Sequence, residues 1–247
     1  MPPTLLAVGA TGNIGVAAIL AARKCQYNVL AIVRNQASAD KLFQHVGSRE
    51  GITTVEADVT LENGVQSVVD RVRAGELPAF QHVHSSCGAW IDTPLSEISV
   101  ADFKKAMNIN FDSNFYAYRA TIPYLRENHE PSSFTQCTGA APDFGTGGVT
   151  GASQGALFSM LKVASKENDK TNVRVNEIYL SARVDYDSVA EGKKGSIQAS
   201  DFAKAYQGIL EREDLKGARV TVHGKKDLEE LKIAKLVSMS CVLPLPD

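Results

Sequence analysis

Short apolar runs alternate along the chain with longer segments in which apolar residues recur at helical spacing. A short apolar run between turn residues is typical of a strand buried in a parallel sheet, whereas recurrence at about 3.6 residues is typical of a helix packed on a sheet. Strand and helix are predicted to alternate throughout. The predicted strands comprise residues 5–8, 27–33, 52–57, 80–85, 133–138, 173–180 and 218–222. The clearest predicted helices comprise residues 14–22, 41–46, 65–72, 103–125 and 156–164.

This alternation of strands and helices constrains the architecture. Consecutive parallel strands need crossover connections, which are right-handed and place helices on the faces of the sheet. A length of 247 residues is normal for one such sheet, and no repeat or low-complexity linker divides the chain. We therefore predict an α/β fold with a single domain over residues 1–247. Helices should cover both faces of a Rossmann-like, doubly wound parallel sheet of about seven strands.

Composition and charge exclude several classes of function. The chain is 44% hydrophobic and 22% charged with a net charge of -2, which gives no electrostatic reason to bind nucleic acid or an anionic membrane. Its four cysteines are scattered without paired spacing, so we expect neither a metal site nor a disulfide framework. No apolar run is long enough to span a membrane. We expect a cytoplasmic protein with reduced thiols that acts on a small molecule.

Three glycines follow the first predicted strand in the stretch TLLAVGATGNIG, at residues 4–15. Gly9 permits a tight turn, Gly12 lets the backbone approach phosphate groups, and Gly15 lets the next helix pack closely on the strand. A helix N-terminus carries partial positive charge and unpaired N–H groups, so it can hold a pyrophosphate. The alternative is a structural turn that binds no ligand. The predicted phosphate-binding residues are Gly9, Thr11, Gly12, Asn13, Ile14 and Gly15.

Residues that follow the next three strands indicate which dinucleotide would bind. After the second strand an acidic residue would favour NAD, whereas an arginine, here Arg34, favours the 2′-phosphate of NADP. The alternative for Arg34 is an ordinary surface residue. An acid after the third strand, here Asp58, can reach the adenine amino group. These positions predict NADP(H), and the remaining predicted cofactor-binding residues are Arg34, Asn35, Asp58, Val59, Ser86 and Gly88.

The order of these motifs resembles the short-chain dehydrogenase/reductase family from residue 5 to residue 224. The resemblance implies NADP(H) binding and assembly as a homodimer or homotetramer. It also identifies Asn110, on the long interface helix, as the family's structural asparagine, which we include among the catalytic candidates. The glycine spelling GATGNIG is closer to that of NmrA-like and extended members. The matching segments are the glycine turn, Asp58-Val59, Gly88, PLSEISVADFKKAMNINFDSNFYAYRATIPYL at residues 94–125 and VRVN at residues 173–176.

The resemblance fails in the half of the chain that would carry the catalytic residues. The family has a serine after the fifth strand, a tyrosine thirteen positions later and a lysine four positions beyond that. Thr138 occupies the serine position, and the same count leads to Gly151 and Gly155. Carbonyl reduction leaves an alkoxide, which the tyrosine protonates while the lysine lowers the pKa of that tyrosine. We therefore expect ordinary ketone reduction to be severely impaired.

One interpretation keeps hydride transfer and changes the acceptor. An iminium ion is already cationic, so it accepts hydride without a proton donor and is stabilised by a nearby anion. Asp143 lies in the loop APDFG after the fifth strand, at the edge where this fold binds ligands. The loop resembles that of the fungal imine reductases and Diels–Alderases of indole-alkaloid biosynthesis that derive from this family. This predicts NADPH-dependent reduction of an imine or iminium, and the alternative for Asp143 is a solvated turn residue.

A second interpretation is a non-redox cyclase, isomerase or pericyclase that uses the cofactor cleft as an apolar pocket. Trp90 and Phe144 are the predicted substrate-binding residues, and Tyr179 and residues 242–245 would complete the pocket wall. Core packing would account equally well for Trp90. Asp143 and Thr138 would orient or protonate the substrate.

A third interpretation is a non-enzymatic NADP(H) sensor similar to NmrA-like proteins. The glycine spelling and the missing tyrosine and lysine favour it, whereas the long helix with Asn110 favours the enzymes. Tyr179, late in the sixth strand, could replace the missing acid, although packing is the usual role of such a residue. The predicted catalytic residues are Asp143, Thr138, Asn110 and Tyr179.

Overall fold

The computed structural model describes residues 2–237, and their main sheet has eight strands in the order β10-β9-β6-β5-β4-β1-β2-β3. All neighbours in this sheet are parallel except β10, which runs antiparallel to β9. The predicted parallel α/β sheet is confirmed, with eight strands where about seven were expected. The strands are β1 (Thr4–Val8), β2 (Asn28–Val33), β3 (Ile52–Glu56), β4 (His82–Ser85), β5 (Ser132–Gly139), β6 (Val173–Leu180), β7 (Arg183–Asp185), β8 (Ser196–Gln198), β9 (Ala218–Val222) and β10 (Lys232–Lys235).

Helices cover both faces of the sheet, as the alternating pattern predicts. The helices are α1 (Asn13–Lys24), α2 (Gln36–Val46), α3 (Gly64–Arg73), α4 (Val100–Met107), α5 (Ser113–Glu127), α6 (Ala141–Phe144), α7 (Gly148–Glu167), α8 (Asp187–Ala190) and α9 (Ala199–Leu210). α1, α2 and α9 bury their apolar residues on one face, and α3, α5 and α7 on the other. No helix within residues 2–237 has the length and apolar character that a membrane span requires.

One element that the sequence misplaced is α7. It begins at Gly148, well before the start predicted at residue 156. Val149, Ser153 and Leu157 are buried along it, and this burial outweighs the weak helix propensity of glycine. Glycine is needed at position 151, because a Cβ there would collide with the carbonyl oxygen of Thr146.

The expected helix over residues 103–125 is longer than predicted and is interrupted. α4 and α5 are joined by a π-helical turn, Asn108–Asp112, which contains the fully buried Asn110. Single π-helical turns insert one residue into the helical repeat, and they often occur at functional sites. The turn lies beside the segment that follows β4, so it contributes to the geometry of the site.

Three short strands were not predicted. β7 and β8 form a separate parallel pair of three residues each, and β10 is an exposed edge strand with the sequence KIAK. None of them contains the apolar run or the buried alternating face that identifies a strand in a sequence.

Candidate active site

A cavity of about 750 Å³ opens at the carboxyl ends of the strands. The order of the strands reverses between β1 and β4, and such a point is where a doubly wound sheet leaves a crevice for a ligand. The start of α1, residues 86–90 after β4, the end of β5, the first turns of α7 and residues 180–185 after β6 line the cavity. Two halves can therefore be distinguished: a glycine-turn half at β1 and α1, and a β5–α7–β6 half opposite it.

The glycine turn has the geometry that a pyrophosphate requires. Gly9 has a φ angle of +81°, and a Cβ there would lie 3.0 Å from the carbonyl oxygen of Ser86. A Cβ on Gly15 would collide with the carbonyl oxygen of Gly9. Gly12 is the N-cap of α1 and places no side chain over the helix end, and no described residue bonds to the N–H groups of residues 13–15. These unpaired donors fit a phosphate group.

The side chains of the turn contact the segment after β6. Asn13 Nδ2 donates a hydrogen bond to the carbonyl oxygen of Val184 at 2.9 Å, and the Tyr186 hydroxyl donates to the carbonyl oxygen of Thr11 at 2.5 Å. Asn13 and Ile14 line the cavity. The Asn13 side chain is therefore occupied by a hydrogen bond within the protein. A phosphate at the turn would bind to backbone N–H groups.

The predicted adenosine-side residues lie outside the cavity lining. Arg34 and Asp58 are exposed, and two hydrogen bonds from Thr60, together with the nearby charge of Arg34, lower the pKa of Asp58. The charge of Arg34 thus acts on Asp58, and Val59 follows Asp58 in the chain. Asn35 differs from expectation, because its Oδ1 accepts the Ser38 N–H at 2.9 Å and caps α2.

Ser86 and Gly88 line the cavity after β4, whereas Asn110 does not. Asn110 Oδ1 accepts the N–H of Ala89 at 2.7 Å, and its Nδ2 donates to the Ala89 carbonyl and to Ser153 Oγ, both at 3.1 Å. The side chain is fully buried. The predicted catalytic role is not supported by this placement, and Asn110 holds the loop after β4 against α7.

The cavity side of α7 carries Thr150 and Gln154, not the glycines at 151 and 155. The structure thus corrects our count by one residue and keeps the four-residue spacing. The glycine at 151 faces the turn at Thr146 and the glycine at 155 faces Pro142. The sequence TGASQ contained this signal, and a count that allowed a different loop length would have found it.

Both α7 side chains are already bonded to nearby groups. Thr150 Oγ1 accepts the N–H of Ile91 at 2.7 Å and lies 3.0 Å from the Ile91 carbonyl oxygen. Gln154 Oε1 accepts the N–H of Gly139 at 2.7 Å. Neither a threonine hydroxyl nor an amide titrates near neutral pH, so this pair cannot replace an acidic tyrosine and a lysine.

Thr138 lines the cavity, but its hydroxyl proton points to an internal partner. Thr138 Oγ1 donates to Glu177 Oε1 at 2.6 Å, and the fully buried Glu177 is paired with Arg219. A buried carboxylate needs such partners, because an unpaired charge in the interior is strongly destabilising. The Thr138 hydroxyl therefore stabilises Glu177 and is not a free proton donor to the cavity.

Tyr179 and Asp143 are brought together, but neither lines the cavity. The Tyr179 hydroxyl donates to Asp143 Oδ2 at 2.8 Å, and the Arg219 guanidinium lies 4.9 Å from the centre of the tyrosine ring. Burial of the ring and the bond to Asp143 raise the pKa of Tyr179 to about 12. This opposes the use of Tyr179 as a substitute acid, and the exposed Asp143 is not placed to stabilise a cation inside the cavity.

Trp90 and Phe144 lie at the mouth of the cavity. Their exposed fractions are 65% and 64%, and both line the cavity, so the alternative of core packing for Trp90 is wrong. The predicted wall segment at residues 242–245 lies outside the described residues.

The cavity wall contains one carboxylate and two thiols that the sequence did not single out as site residues. Hydrogen bonds from Arg183, and then from Ser196 and Lys193, lower the pKa of Asp185 to about 2. Burial raises the pKa of the Cys87 thiol to about 11 and that of Cys137 to about 12. The carboxylate is therefore ionised and both thiols are protonated at neutral pH, so none of them is tuned for acid–base work there.

Comparison with known proteins agrees with this fold. A family model described as short chain dehydrogenase matches residues 3–185. The short-chain dehydrogenase/reductase iacG of Pestalotiopsis fici is 49% identical over 237 residues, which cover 94% of this chain and 96% of that protein. The 2-dehydro-3-deoxy-D-gluconate 5-dehydrogenase of Formosa agariphila is 26% identical over 179 residues, which cover 70% of this chain and 66% of that protein.

Two solved structures are similar in fold. A short-chain dehydrogenase/reductase from Brucella melitensis, described as a glucose/ribitol dehydrogenase, superposes with a TM-score of 0.74 at 23% identity, covering 90% of this chain and 96% of that one. ElxO with NADP bound superposes with a TM-score of 0.76 at 16% identity, covering 90% of this chain and 97% of that one. At these identities the similarity concerns the fold alone.

Proposed function

The chain belongs to the short-chain dehydrogenase family, and from this membership we propose that it is an NADP(H)-dependent oxidoreductase that reduces the C=N bond of an imine or iminium in a small molecule. The family is one of oxidoreductases that use nicotinamide cofactors. The choice of NADP(H) is supported by Arg34 after β2 and by the NADP-bound relative in fold. The choice of substrate is supported by the altered half of the cavity.

The residues present fit a nicotinamide dinucleotide. The N–H groups of residues 13–15 would hold the pyrophosphate, Arg34 would meet the 2′-phosphate, and Asp58 would reach the adenine. When bound, NADPH supplies the hydride that adds to the carbon of the C=N bond. The end of β5 and residues 180–185 would enclose the reacting end of the cavity.

The observation that carries this proposal is the position and hydrogen bonding of Thr150 and Gln154. They occupy the cavity positions on α7 at the spacing of the family's tyrosine and lysine, and both are bonded to neighbouring backbone groups. An alkoxide formed from a ketone would find no tuned acid on this helix. An iminium ion becomes a neutral amine on hydride addition, so its reduction requires no acid in that step.

The aromatic mouth is the group best placed to stabilise a cationic substrate. Trp90 and Phe144 present aromatic rings at the cavity, and a cation over such a ring is stabilised by about 0.5–2 kcal/mol. The carboxylate of Asp185 is less suitable, because Arg183 and Lys193 already pair with it. We therefore assign cation binding to Trp90 and Phe144 in place of Asp143.

The proposal is tested with matched acceptors and deuterium-labelled NADPH. N-methyl-dihydroisoquinolinium should receive deuterium at its C=N carbon, whereas tetralone, the ketone of similar shape, should remain at the background rate. Transfer to tetralone and not to the iminium would overturn the proposal. Trp90→Ala should raise KM for the iminium more than it lowers kcat, because it removes binding and no reacting group.

A second candidate is a non-redox cyclase, and the observation that favours it is the wide cavity with an aromatic mouth. Conversion of a polyene substrate without NADPH consumption would select it. Tight NADPH binding with no conversion of any substrate would select the sensor.

We also propose a homodimer or homotetramer built on α4, α5 and α7. Phe103, Phe115 and Val163 are exposed on these helices, and exposed apolar side chains of this kind are common at subunit interfaces. Light scattering on the purified protein should give a multiple of the chain mass, and a monomer would contradict this part of the proposal.

A further inference from the structure

A serine and a histidine are bonded to each other where β6 and β9 end. These parallel strands are in register at Leu180 and Val222, and the Ser181 N–H continues the pairing with the Val222 carbonyl oxygen at 3.0 Å. Ser181 and His223 are thus neighbours across the sheet. Ser181 Oγ lies 2.6 Å from His223 Nδ1, which is a short hydrogen bond. The two strands fix this pair, because backbone bonds hold both residues in place.

The pair connects the cavity to solvent. Ser181 lines the cavity, whereas His223 is exposed and does not line it. No residue within the described part of the chain bonds to His223 Nε2, so this nitrogen can exchange protons with water. A proton can therefore enter at Nε2 of the ring and leave through the hydroxyl of Ser181.

Aromatic and charged groups surround the His223 ring. The edge of the Tyr179 ring lies near it, with the centroids 6.2 Å apart. Asp227 Oδ2 accepts the backbone N–H of His223 at 2.8 Å, and the same carboxylate is paired with Lys232. Lys225 is paired with Asp201. The ionisable groups on the elements around the ring are Tyr179, Lys225, Lys226, Asp227 and Lys232.

We propose that Ser181 and His223 form a proton relay that protonates the nitrogen of a neutral imine in the cavity. The protonated imidazole donates Nδ1–H to Ser181 Oγ while the Ser181 hydroxyl donates its own proton to the imine nitrogen. The product is an iminium ion, a neutral imidazole and an intact serine, and the imidazole regains its proton from water at Nε2. This inference rests on the proposed function, since it supplies the cation that the hydride step consumes.

A histidine suits this task and a serine alone does not. An imidazole changes its charge between about pH 5 and 8, so it can both give and recover a proton near neutral pH. A serine hydroxyl is a far weaker acid and serves here as the link that reaches the cavity. Within the proposal Ser181 is the catalytic residue that touches substrate, and His223 acts through it.

Two substrates separate the relay from the hydride step. Dihydroisoquinoline must be protonated before it can accept hydride, whereas N-methyl-dihydroisoquinolinium carries a permanent positive charge. Ser181→Ala and His223→Gln should each reduce the rate with dihydroisoquinoline by about 10²-fold, which is typical for the loss of a general acid. His223→Gln, at a residue outside the cavity lining, should leave the rate with the N-methyl compound unchanged. His129→Asn, at an exposed histidine before β5 whose φ of 54° asparagine tolerates, should alter neither rate.

The pH dependence distinguishes the relay from a structural role. At acidic pH the free imine is already protonated, so both variants should approach the rate of the unmodified protein. Equal losses with both substrates at every pH would show a structural role and overturn the proposal. Unchanged rates with both substrates would overturn it as well.

A binding measurement separates this inference from the proposed function. If the unmodified protein reduces neither substrate, the proposed function fails, and the relay is then judged by NMR of the His223 ring in the cofactor-free protein. Addition of dihydroisoquinoline should shift the ring resonance, and Ser181→Ala should abolish this shift. A His223 resonance that does not respond to saturating dihydroisoquinoline would overturn the relay.

Discussion

The glycine-turn half of the cavity presents backbone groups to a ligand, whereas the β5–α7–β6 half presents side chains. The glycine-turn half presents backbone N–H groups at the start of α1, and its glycines are required by close contacts within the fold, such as that between Gly15 and the Gly9 carbonyl. The opposite half presents side chains, of which Thr150 and Gln154 are bonded to neighbouring backbone groups. A backbone site persists as long as the fold persists. A side-chain site can change its chemistry while the fold remains.

The substituted positions illustrate how such a change is accommodated. Thr150 satisfies the N–H of Ile91, and Gln154 satisfies the N–H of Gly139. A buried N–H group without a partner costs about 1–3 kcal/mol, so these side chains have a structural use at positions where the family has catalytic ones. The α7 side of the cavity thus carries no acid that could replace the family's tyrosine.

The largest effect should come from placing a tyrosine and a lysine back in the β5–α7–β6 half of the cavity. Thr150→Tyr combined with Gln154→Lys should raise NADPH-dependent reduction of tetralone by about 10²–10⁴-fold, the usual contribution of a positioned acid. Tetralone turnover by the purified variant is the measurement. The same pair at 151 and 155 is the control and should fail, because a Cβ at 151 collides with the Thr146 carbonyl. A folded Thr150–Gln154 variant that still cannot reduce the ketone would contradict the correction of register.

The next effect concerns β4, the strand adjacent to the glycine-turn half. Burial lowers the pKa of His82 to about 4 and that of His84 to about 3, from an ordinary value of 6.5. Below pH 6.5 the unfolded chain therefore binds more protons than the folded one. The free energy of unfolding should fall with decreasing pH, by up to about 1.4 kcal/mol per pH unit for each histidine, until the folded pKa values are reached.

Urea denaturation at a series of pH values between 6.5 and about 4 measures this slope. His82→Gln should reduce it by the contribution of one histidine, and the exposed His129→Asn should leave it unchanged. An identical slope in the His82 variant would show that this histidine is protonated in the folded protein.

The third effect tests the backbone half. Gly15→Ala should lower the free energy of unfolding by about 1–3 kcal/mol and weaken NADPH binding, because the new Cβ forces α1 away from the turn. Gly155→Ala is the matched control, since its Cβ would meet Pro142 Cβ at 3.8 Å, an ordinary contact. Thermal unfolding and NADPH titration of both variants give the comparison. Equal behaviour of the two would show that the contact at Gly15 is not required.

The fourth effect concerns the choice of dinucleotide. Arg34→Ala should raise the Kd for NADPH about tenfold, or about 1.4 kcal/mol, because it removes a charge from the 2′-phosphate. The Kd for NADH should not change, so NADH is the internal control. Equal losses for both dinucleotides would remove Arg34 from this role.

The smallest effect should come from Asp143. Asp143→Asn removes a charged acceptor from the Tyr179 hydroxyl outside the cavity, so it should change stability by only about 1 kcal/mol and leave iminium reduction intact. Steady-state kinetics with N-methyl-dihydroisoquinolinium provide the measurement. Loss of turnover in the folded variant would show that Asp143 does take part in iminium reduction.

The sequence predicted the parts of the molecule whose signals are local. The buried strands and the glycine turn each depend on a short pattern of residues, and β6 and β9 have the predicted bounds. The residues of α7 that face the cavity were predicted one position too far along the chain. Their position depends on the length of the loop after β5. That loop contains the short helix α6, which no periodic pattern in the sequence predicts.

The partners of buried polar groups could not be predicted from the sequence. Thr138 bonds to Glu177, and Ser181 bonds to His223, across strands that are distant in the chain. Such pairs depend on the register of β5, β6 and β9, which only the folded sheet determines. The expected roles of Tyr179 and Asp143 failed to match the cavity for the same reason.

The glycine-turn half is expected to bind a phosphorylated dinucleotide although the opposite half lacks the family's tyrosine and lysine. Isothermal titration calorimetry of the purified protein with NADPH and with NADH tests this expectation. NADPH should bind more tightly than NADH by at least the tenfold contribution, about 1.4 kcal/mol, assigned to Arg34. No binding of either dinucleotide would contradict it, because the unpaired N–H groups at the start of α1 would then serve no cofactor.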